Sequence, residues 1–208
     1  MIVMRRSLLY PGRAVLLAGG ALLLLLTAGA LRAQTRAAAA PVEVRIRDLP
    51  KLGRSGLVRT PEYQSNVRRT VGGSRRREWA LLEVGYETAP AWIDELSFTF
   101  HVMTQDAQKQ FQYFETSVVY ADIERGSHAA CVVLPPAAVA RFGEPGAFGV
   151  EIFTGGERVA VKSAGPFGEE WWKLIGDKPN ITRQAGYLVD RSKTPFAWAY
   201  IDDYEVVR

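Results

Sequence analysis

The sequence predicts an all-β protein, an immunoglobulin-like antiparallel β-sandwich that follows an N-terminal signal peptide and an irregular basic arm. Three observations lead to this fold class. Apolar and polar residues alternate along several segments, which is the period of a half-buried strand. Turn residues recur about every 8–12 residues, as they do in sandwiches. The sequence after the leader contains no long amphipathic helical pattern.

The first 33 residues have the layout of a secretory signal peptide. Arg5 and Arg6 precede an apolar run at residues 14–30, and small residues follow. The positive start holds that end at the cytoplasmic face, and small side chains let a signal peptidase reach the backbone. We expect cleavage after Ala33, because the polar Gln34 follows it. The mature protein is then exported to the periplasm or the cell surface.

Two alternatives for the leader stay open. Cleavage after Ala30 also fits the small-residue pattern, and an apolar run of about 17 residues is at the lower limit for a retained membrane anchor. Membrane contact is expected only if the leader is retained. The single cysteine, Cys131, lies far beyond the leader. It cannot form an intrachain disulfide, and we expect it to be a small buried apolar side chain.

The charge of the chain is unevenly distributed. Four arginines of the leader account for the formal charge of +4, so the mature chain is near neutral and no nucleic-acid partner is expected. Residues 41–78 hold ten basic and four acidic side chains, whereas residues 79–208 hold 11 and 18. We therefore divide the mature chain into a basic arm at 34–77, with a short first strand, and a single β-sandwich domain at 78–208.

The basic arm is a candidate attachment surface. Four glycines, Pro61 and many charges between Leu52 and Ser74 predict an irregular segment. One hypothesis is that its arginines bind an acidic partner or a membrane surface; the other is that the arm is solvated and folds back onto its own acidic body. The candidate binding residues are Arg68, Arg69, Arg75, Arg76 and Arg77.

Two segments alternate most clearly and predict the central strands. Trp79–Thr88 and Glu95–Thr104 each place apolar side chains on one face, and we expect them to lie near each other. In the second segment Phe98 faces inward, while Thr99 and His101 lie on the opposite face. The inward-facing residues of the whole body are predicted to be Leu82, Val84, Leu96, Phe98, Phe100, Val118, Val132, Val150, Ile152 and Val161.

Turn residues predict how the later strands are connected. Phe114–Ile123 and His128–Leu134 flank a turn sequence and predict an antiparallel hairpin. Gly149–Phe153 and Arg158–Lys162 flank Gly155-Gly156, which suits a type I′ turn, and predict a second hairpin.

Short elements complete the predicted body. Pro135–Phe142 starts with proline and is followed by Gly143, which predicts one or two helical turns. Phe196–Ala199 and Tyr204–Val207 are predicted to add late strands.

Few residues in the chain are suited to catalysis. His101 and His128 are the only histidines, and with Cys131 they match no usual zinc-ligand spacing. Paired carboxylates such as Asp202-Asp203 would point to opposite faces of a strand. Phosphate-binding glycine loops, serine nucleophile elbows and HExxH motifs do not occur. We expect no catalytic residues, no metal and no cofactor, and hence a protein that is not an enzyme.

Aromatic residues suggest a second kind of binding site. Trp171, Trp172, Trp198 and Tyr200 lie in the last third of the chain, and exposed indole rings on a sandwich can stack on a glycan. The alternative is packing in the core or at an edge, because aromatic rings bury large areas. If Trp171 and Trp172 lay on a strand they would face opposite ways, so at most one of them could join a glycan platform.

Several short motifs resemble the exported pilus-like proteins of verrucomicrobial bacteria, over about residues 42–207. The motifs are Thr60-Pro61-Glu62-Tyr63, Leu96-Ser97-Phe98, Arg141-Phe142-Gly143, Trp171-Trp172 and Thr194-Pro195-Phe196-Ala197. Members of this family are encoded beside type IV pilus-type machinery. The resemblance implies an immunoglobulin-like, non-catalytic protein associated with a pilus or secretion apparatus. A prepilin cleavage signal is missing, so an accessory or periplasmic partner fits better than an assembled pilin.

The sequence therefore favours an exported structural or interaction protein of the cell envelope, with a protein partner there. A carbohydrate-binding module that uses exposed aromatic residues is the alternative.

Export predicts a defined mature N-terminus. Protein recovered from the producing cell and sequenced from its N-terminus should begin at Gln34, or at Leu31 if the earlier site is used. Recovery of the intact chain in the membrane fraction would establish a retained anchor instead. Recovery from the cytosol would contradict both.

Overall fold

The computed structural model describes residues 42–62, 77–176 and 178–208. Eleven strands and one short α-helix are present in these residues. In chain order they are β1 (Glu43–Asp48), β2 (Leu57–Arg59), β3 (Glu78–Ala89), β4 (Ile93–Gln105), β5 (Phe111–Ile123), β6 (Gly126–Leu134), α1 (Pro136–Phe142), β7 (Pro145–Thr154), β8 (Glu157–Ala164), β9 (Ile181–Gln184), β10 (Val189–Asp190) and β11 (Val206–Val207).

The strands form two facing sheets. Among the described residues, sheet A has the order β1-β3-β6-β10, with β2 also paired to β3, and sheet B has the order β11-β5-β4-β7-β8, with β9 also paired to β5. The β5–β9 pair is parallel and the other strand pairs are antiparallel. The predicted all-β, immunoglobulin-like sandwich is confirmed.

The inward faces of the two sheets supply the core. Tyr86 of β3 packs on Phe98 of β4 across the sandwich, with ring centroids 5.0 Å apart, and Phe98 meets Tyr120 of β5 edge-on at 5.2 Å. Nine of the ten predicted inward-facing residues are buried. The exception is Val161, which is 36 % exposed because it lies opposite Glu151 on the outer face of sheet B. That prediction is wrong.

The first predicted hairpin is also wrong. Segments 114–123 and 128–134 do form strands, but β5 pairs with β4 in sheet B and β6 pairs with β3 in sheet A. The turn at 124–125 therefore carries the chain from one sheet to the other. Turn residues identify where a strand ends, whereas the partner of each strand is chosen by non-local burial.

The second hairpin is confirmed. β7 and β8 pair antiparallel, and Gly155 and Gly156 both have positive φ angles, +56° and +82°. These are the backbone angles that a type I′ turn requires.

The predicted helix is confirmed as α1, which has proline at its start and is followed by Gly143.

The segments at both ends of the body differ from their predictions. Leu57–Arg59, expected within an irregular stretch, forms β2, and both β1 and β2 pair with β3. Phe196–Ala199 was predicted to be a strand, but Pro195–Trp198 forms a 3-10 helix. Of the predicted strand Tyr204–Val207, only Val206–Val207 is an extended strand, β11.

The arginines at 68, 69, 75 and 76 and the predicted signal peptide lie outside the described residues. Within residues 42–62, 77–176 and 178–208, no helix is both long and apolar enough to cross a membrane.

Replacing Phe98 with alanine should destabilise the fold strongly. The ring is fully buried, and Phe→Ala substitutions in a core cost about 3–5 kcal/mol. The matched control is Thr99→Ala, because Thr99 is half-buried on the opposite face and its hydroxyl bonds only Ser117 at 3.0 Å. Its cost should be within about 1 kcal/mol. Equal shifts in the free energy of unfolding, measured by denaturant titration, would contradict the assigned strand faces.

Candidate interaction surface

Trp171 and Trp172 cover the outer face of sheet B. They lie in a 3-10 helix, Trp171–Leu174, and both are buried rather than facing opposite ways on a strand. With them pack Met103 of β4 and Tyr113 of β5. The face of β4 that the alternation pattern left for solvent is therefore covered at this end, and it buries His101 and Met103.

A glycine makes room for Trp172. A Cβ built on Gly149 of β7 would lie 2.1 Å from a ring carbon of Trp172, so only glycine allows the indole to rest on the sheet. The same indole stacks on the imidazole of His101, with centroids 4.4 Å apart and planes 7° from parallel. The Trp172 Nε1–H donates to the Glu151 carboxylate at 3.2 Å.

His101 is held between aromatic and acidic neighbours. Its Nδ1 lies 2.7 Å from the Tyr113 hydroxyl oxygen, and its Nε2 lies 3.3 Å from the Glu151 carboxylate. Burial lowers the pKa of His101, and this effect outweighs the opposing influence of Glu115 and Glu151. His101 is only 3 % exposed and has Trp172 stacked on it, so its imidazole contributes to the packing of this face.

Arg158 neutralises the acidic side of this cluster. Its guanidinium contacts Glu151 at 2.7 Å and Glu170 at 2.8 Å, and so ties β8 to the segment just before Trp171. The hydrogen bonds from Arg158 and His101 hold the pKa of Glu151 below its usual range, although burial acts in the opposite direction. The whole cluster fixes the two tryptophans on the sheet.

A second buried histidine ties the C-terminus to sheet A. His128 Nε2 lies 3.1 Å from Thr88 Oγ1, and His128 Nδ1 lies 2.7 Å from Glu205. The order hydroxyl, imidazole, carboxylate is that of a hydrolase triad. However, Thr88 is buried, its hydroxyl donates to the Glu124 carbonyl at 2.7 Å, and it accepts from the Gly126 N–H at 3.2 Å. The arrangement is a structural tie.

Cys131 is fully buried, as expected, and burial raises the pKa of its thiol far above the usual range. Among the residues that the structure describes, no three His, Cys, Asp or Glu side chains are grouped to hold a metal ion.

The last 20 residues connect the two sheets. β10 pairs with β6 in sheet A, and β11 pairs with β5 in sheet B. Between them Phe196 packs on Cys131 and Val133 and meets Trp79 edge-on at 5.7 Å. The C-terminal segment thus crosses the outer face of sheet A and reaches sheet B.

Arg191 binds the backbone of this C-terminal segment through its guanidinium. Although it is buried, its guanidinium donates to the carbonyl oxygens of Ala197 at 3.2 Å, Ala199 at 2.8 Å and Tyr200 at 3.4 Å. It also lies 3.6 Å from the ring centroid of Tyr204. Hydrogen bonds from a charged donor are among the strong ones, so the three bonds to carbonyls of residues 197–200 hold the loop in place.

The loop held by Arg191 displays a row of apolar side chains, which we call the aromatic ledge: Trp198, Tyr200 and Ile201. Their exposed fractions are 74 %, 80 % and 51 %. Tyr200 has a left-handed backbone, with φ +53°, which is uncommon for a residue with a side chain. A single exposed apolar residue needs no explanation, but three within four residues on a fixed loop indicate a contact surface.

The residues predicted as binding sites fall into three groups. Trp198 is in the aromatic ledge, and Arg77 is exposed at the start of β3, where its carbonyl accepts from the Thr60 N–H at 3.1 Å. Burial leaves Trp171 and Trp172 unable to stack on a glycan, in agreement with the packing alternative. Arg68, Arg69, Arg75 and Arg76 lie outside the described residues. Tyr200, named with the aromatic candidates, is also in the aromatic ledge. Ile201 was not predicted as a binding residue, because its exposure depends on how the C-terminal loop folds.

Fold and surface together define an all-β sandwich protein whose described histidines and cysteine are used in packing and whose C-terminal loop offers an exposed aromatic surface. A family model matches residues 35–208, and the chain belongs to that family, the pilus-like proteins of verrucomicrobial bacteria. The chain is similar to a crystal structure from Akkermansia muciniphila, with a TM-score of 0.65 and 23 % identity over 81 % of this chain and 93 % of that chain. That likeness shows the fold. No curated protein matches the chain.

His101 should make stability depend on pH. Its folded-state pKa is below the ordinary value of 6.5, so the unfolded chain binds the proton more readily. Its contribution is complete above pH 6.5 and is lost as the pH falls below that value. The pH dependence of the melting temperature between pH 5 and 8 should therefore be flatter for His101→Gln than for the natural chain.

Two features make this measurement interpretable. His128 is present in both proteins and cancels in the comparison. The pKa of Glu151 is below 4.5, so the loss of its contribution lies at more acidic pH. If the melting temperatures of the two proteins change with pH to the same extent across pH 5–8, the buried neutral imidazole is contradicted.

Proposed function

We propose that this chain is an exported, non-catalytic interaction protein of the cell envelope that associates with a pilus-like or secretion assembly. Membership of the pilus-like family supports a place in the cell envelope beside such an assembly. The family match begins at residue 35, just past the predicted cleavage site. The buried states of His101, His128 and Cys131 support a role without catalysis.

The observation that carries this proposal is the aromatic ledge. Tryptophan and tyrosine are enriched in the centres of protein interfaces, because they provide a large contact area and lose little side-chain entropy. Arg191 already holds the loop in place, so the ordering cost has largely been met before a partner arrives. We therefore assign the ledge as the contact surface with the assembly.

A second candidate function is carbohydrate binding. The exposed rings of Trp198 and Tyr200 favour it, since a glycan needs accessible aromatic faces. A glycan array probed with the natural chain and with Trp198→Ala separates the two candidates. Binding that depends on Trp198 would favour the carbohydrate module.

Truncation of the ledge should release the chain from the assembly. In cells that produce a tagged chain, sheared surface appendages should carry the natural protein, and Trp198→Ala/Tyr200→Ala should lower its share of that fraction by about tenfold, the effect of a loss of about 1.4 kcal/mol. The matched control is Trp92→Ala, because Trp92 is 66 % exposed but follows β3 at a turn. It should behave like the natural chain.

Each outcome of this fractionation has a meaning. If the natural chain never enters the appendage fraction, the association with a pilus-like assembly is overturned. If all three proteins enter it equally, the ledge is not the contact surface.

A further inference from the structure

The surroundings of the aromatic ledge are acidic. Asp202 and Asp203 follow Ile201 directly, and both are exposed. Glu83 of β3 is also exposed, and it accepts a hydrogen bond from the hydroxyl of Tyr204, the next residue after Asp203. Two carboxylates therefore directly follow the exposed side chains in the chain, and a third contacts the next residue.

Charges of both signs lie further along the outer face of sheet A. Tyr204 bridges to Ala129 of β6, which is paired with Gly85 of β3, and Gly85 lies in a depression of about 430 Å³. Asp48, at the rim of this depression, is exposed. The cation at the same rim, Arg47, is engaged by Glu87 at 2.7 Å.

Two cations precede the ledge on the C-terminal segment. Arg191 is buried, and its guanidinium is directed to backbone carbonyls and to the Tyr204 ring, whereas Lys193 is exposed. The two carboxylates that directly follow the ledge, Asp202 and Asp203, give that end of the loop a negative charge, and charges of this sign attract cationic partners over a distance of about 8 Å at physiological salt.

We propose that the aromatic ledge and its flanking carboxylates bind a lysine- or arginine-rich segment of a partner protein in the envelope assembly, an inference that rests on the function proposed above. Guanidinium or ammonium groups stack on the faces of Trp198 and Tyr200, because a cation is attracted to the electron-rich face of an aromatic ring. The same groups pair with Asp202 and Asp203. Aromatic rings supply the contact area, and the carboxylates select the sign of the charge.

The other possible occupants fit the surface less well. An anionic lipid surface or a nucleic acid is repelled by carboxylates. A neutral glycan uses the rings but gains nothing from the charge. A cationic protein segment is the one that uses both features.

Site-specific photo-crosslinking in the producing cell tests the proposal. The photoreactive residue p-benzoylphenylalanine replaces Tyr200 in one full-length chain and Trp198 in another, and the cross-linked peptides are sequenced by mass spectrometry. The expected adduct is a partner peptide with more Lys and Arg than Asp and Glu. In the same background, Asp202→Lys/Asp203→Lys should lower the adduct yield at least fivefold.

Matched variants separate charge from folding. Glu157→Lys changes an exposed carboxylate at the β7–β8 turn, and it should leave the yield unchanged. Asp202→Asn/Asp203→Asn, which removes charge without reversing it, should give an intermediate yield. Melting temperatures of all the variants should match that of the parent chain.

The opposing outcomes are distinct. An adduct with a neutral or acidic peptide, a second copy of the chain, a lipid or a glycan would overturn the cationic partner, as would a yield that ignores the charge reversal. In these cases the proposed function stands if the Trp198→Ala/Tyr200→Ala variant is still depleted from the appendage fraction. No adduct at either position, together with unchanged fractionation, would overturn the ledge as a contact surface altogether.

Discussion

The contact between Tyr86 and Phe98 is the interaction on which the rest of the structure depends. It joins β3 of sheet A to β4 of sheet B, and Phe98 continues it to Tyr120. The Tyr120 hydroxyl then accepts from the Cys131 N–H at 3.1 Å, which returns the connection to sheet A. Aromatic rings of this size bury large apolar areas, so their alignment sets the spacing of the two sheets. Once the sheets are set, each outer face can be covered by a separate segment of the chain.

The two outer faces are covered by the same means. On sheet B, Trp172 rests on Gly149 and stacks on His101, and on sheet A, Phe196 packs against Trp79 and Cys131. Each covering segment is also tied by polar groups: the first through Glu151 and Arg158, the second through the buried Arg191. A buried polar group that is fully bonded specifies one arrangement, because a slipped alternative would leave it unpaired. The histidines, which a reader of the sequence would test first for catalysis, are parts of these ties.

Rigid anchoring of the C-terminal segment has a functional consequence. Arg191 compensates the carbonyl dipoles of the loop from inside, so the apolar side chains of the aromatic ledge face outward while the backbone stays ordered. An exposed apolar surface of this kind lowers the solubility of the protein unless a partner covers it. In a pilus-like family, a preorganised aromatic loop beside carboxylates is an economical way to hold a chain within an assembly, since neither catalysis nor a cofactor is involved in the contact we propose.

Period-two alternation, turn residues and the glycine pair at 155–156 determined the strands, the sandwich and the β7–β8 hairpin from the sequence alone, because these features follow from local backbone and burial rules. Trp198 was also visible as a candidate binding residue. Only the tertiary structure decided that β5 and β6 enter different sheets, that Trp171 and Trp172 are buried and that Tyr200 is displayed. The physical reason is that each of these depends on a partner distant in the chain: β3 for β6, Gly149 for Trp172 and Arg191 for the loop. Local sequence patterns indicate which residues are buried, and only the folded chain determines which residues they pack against.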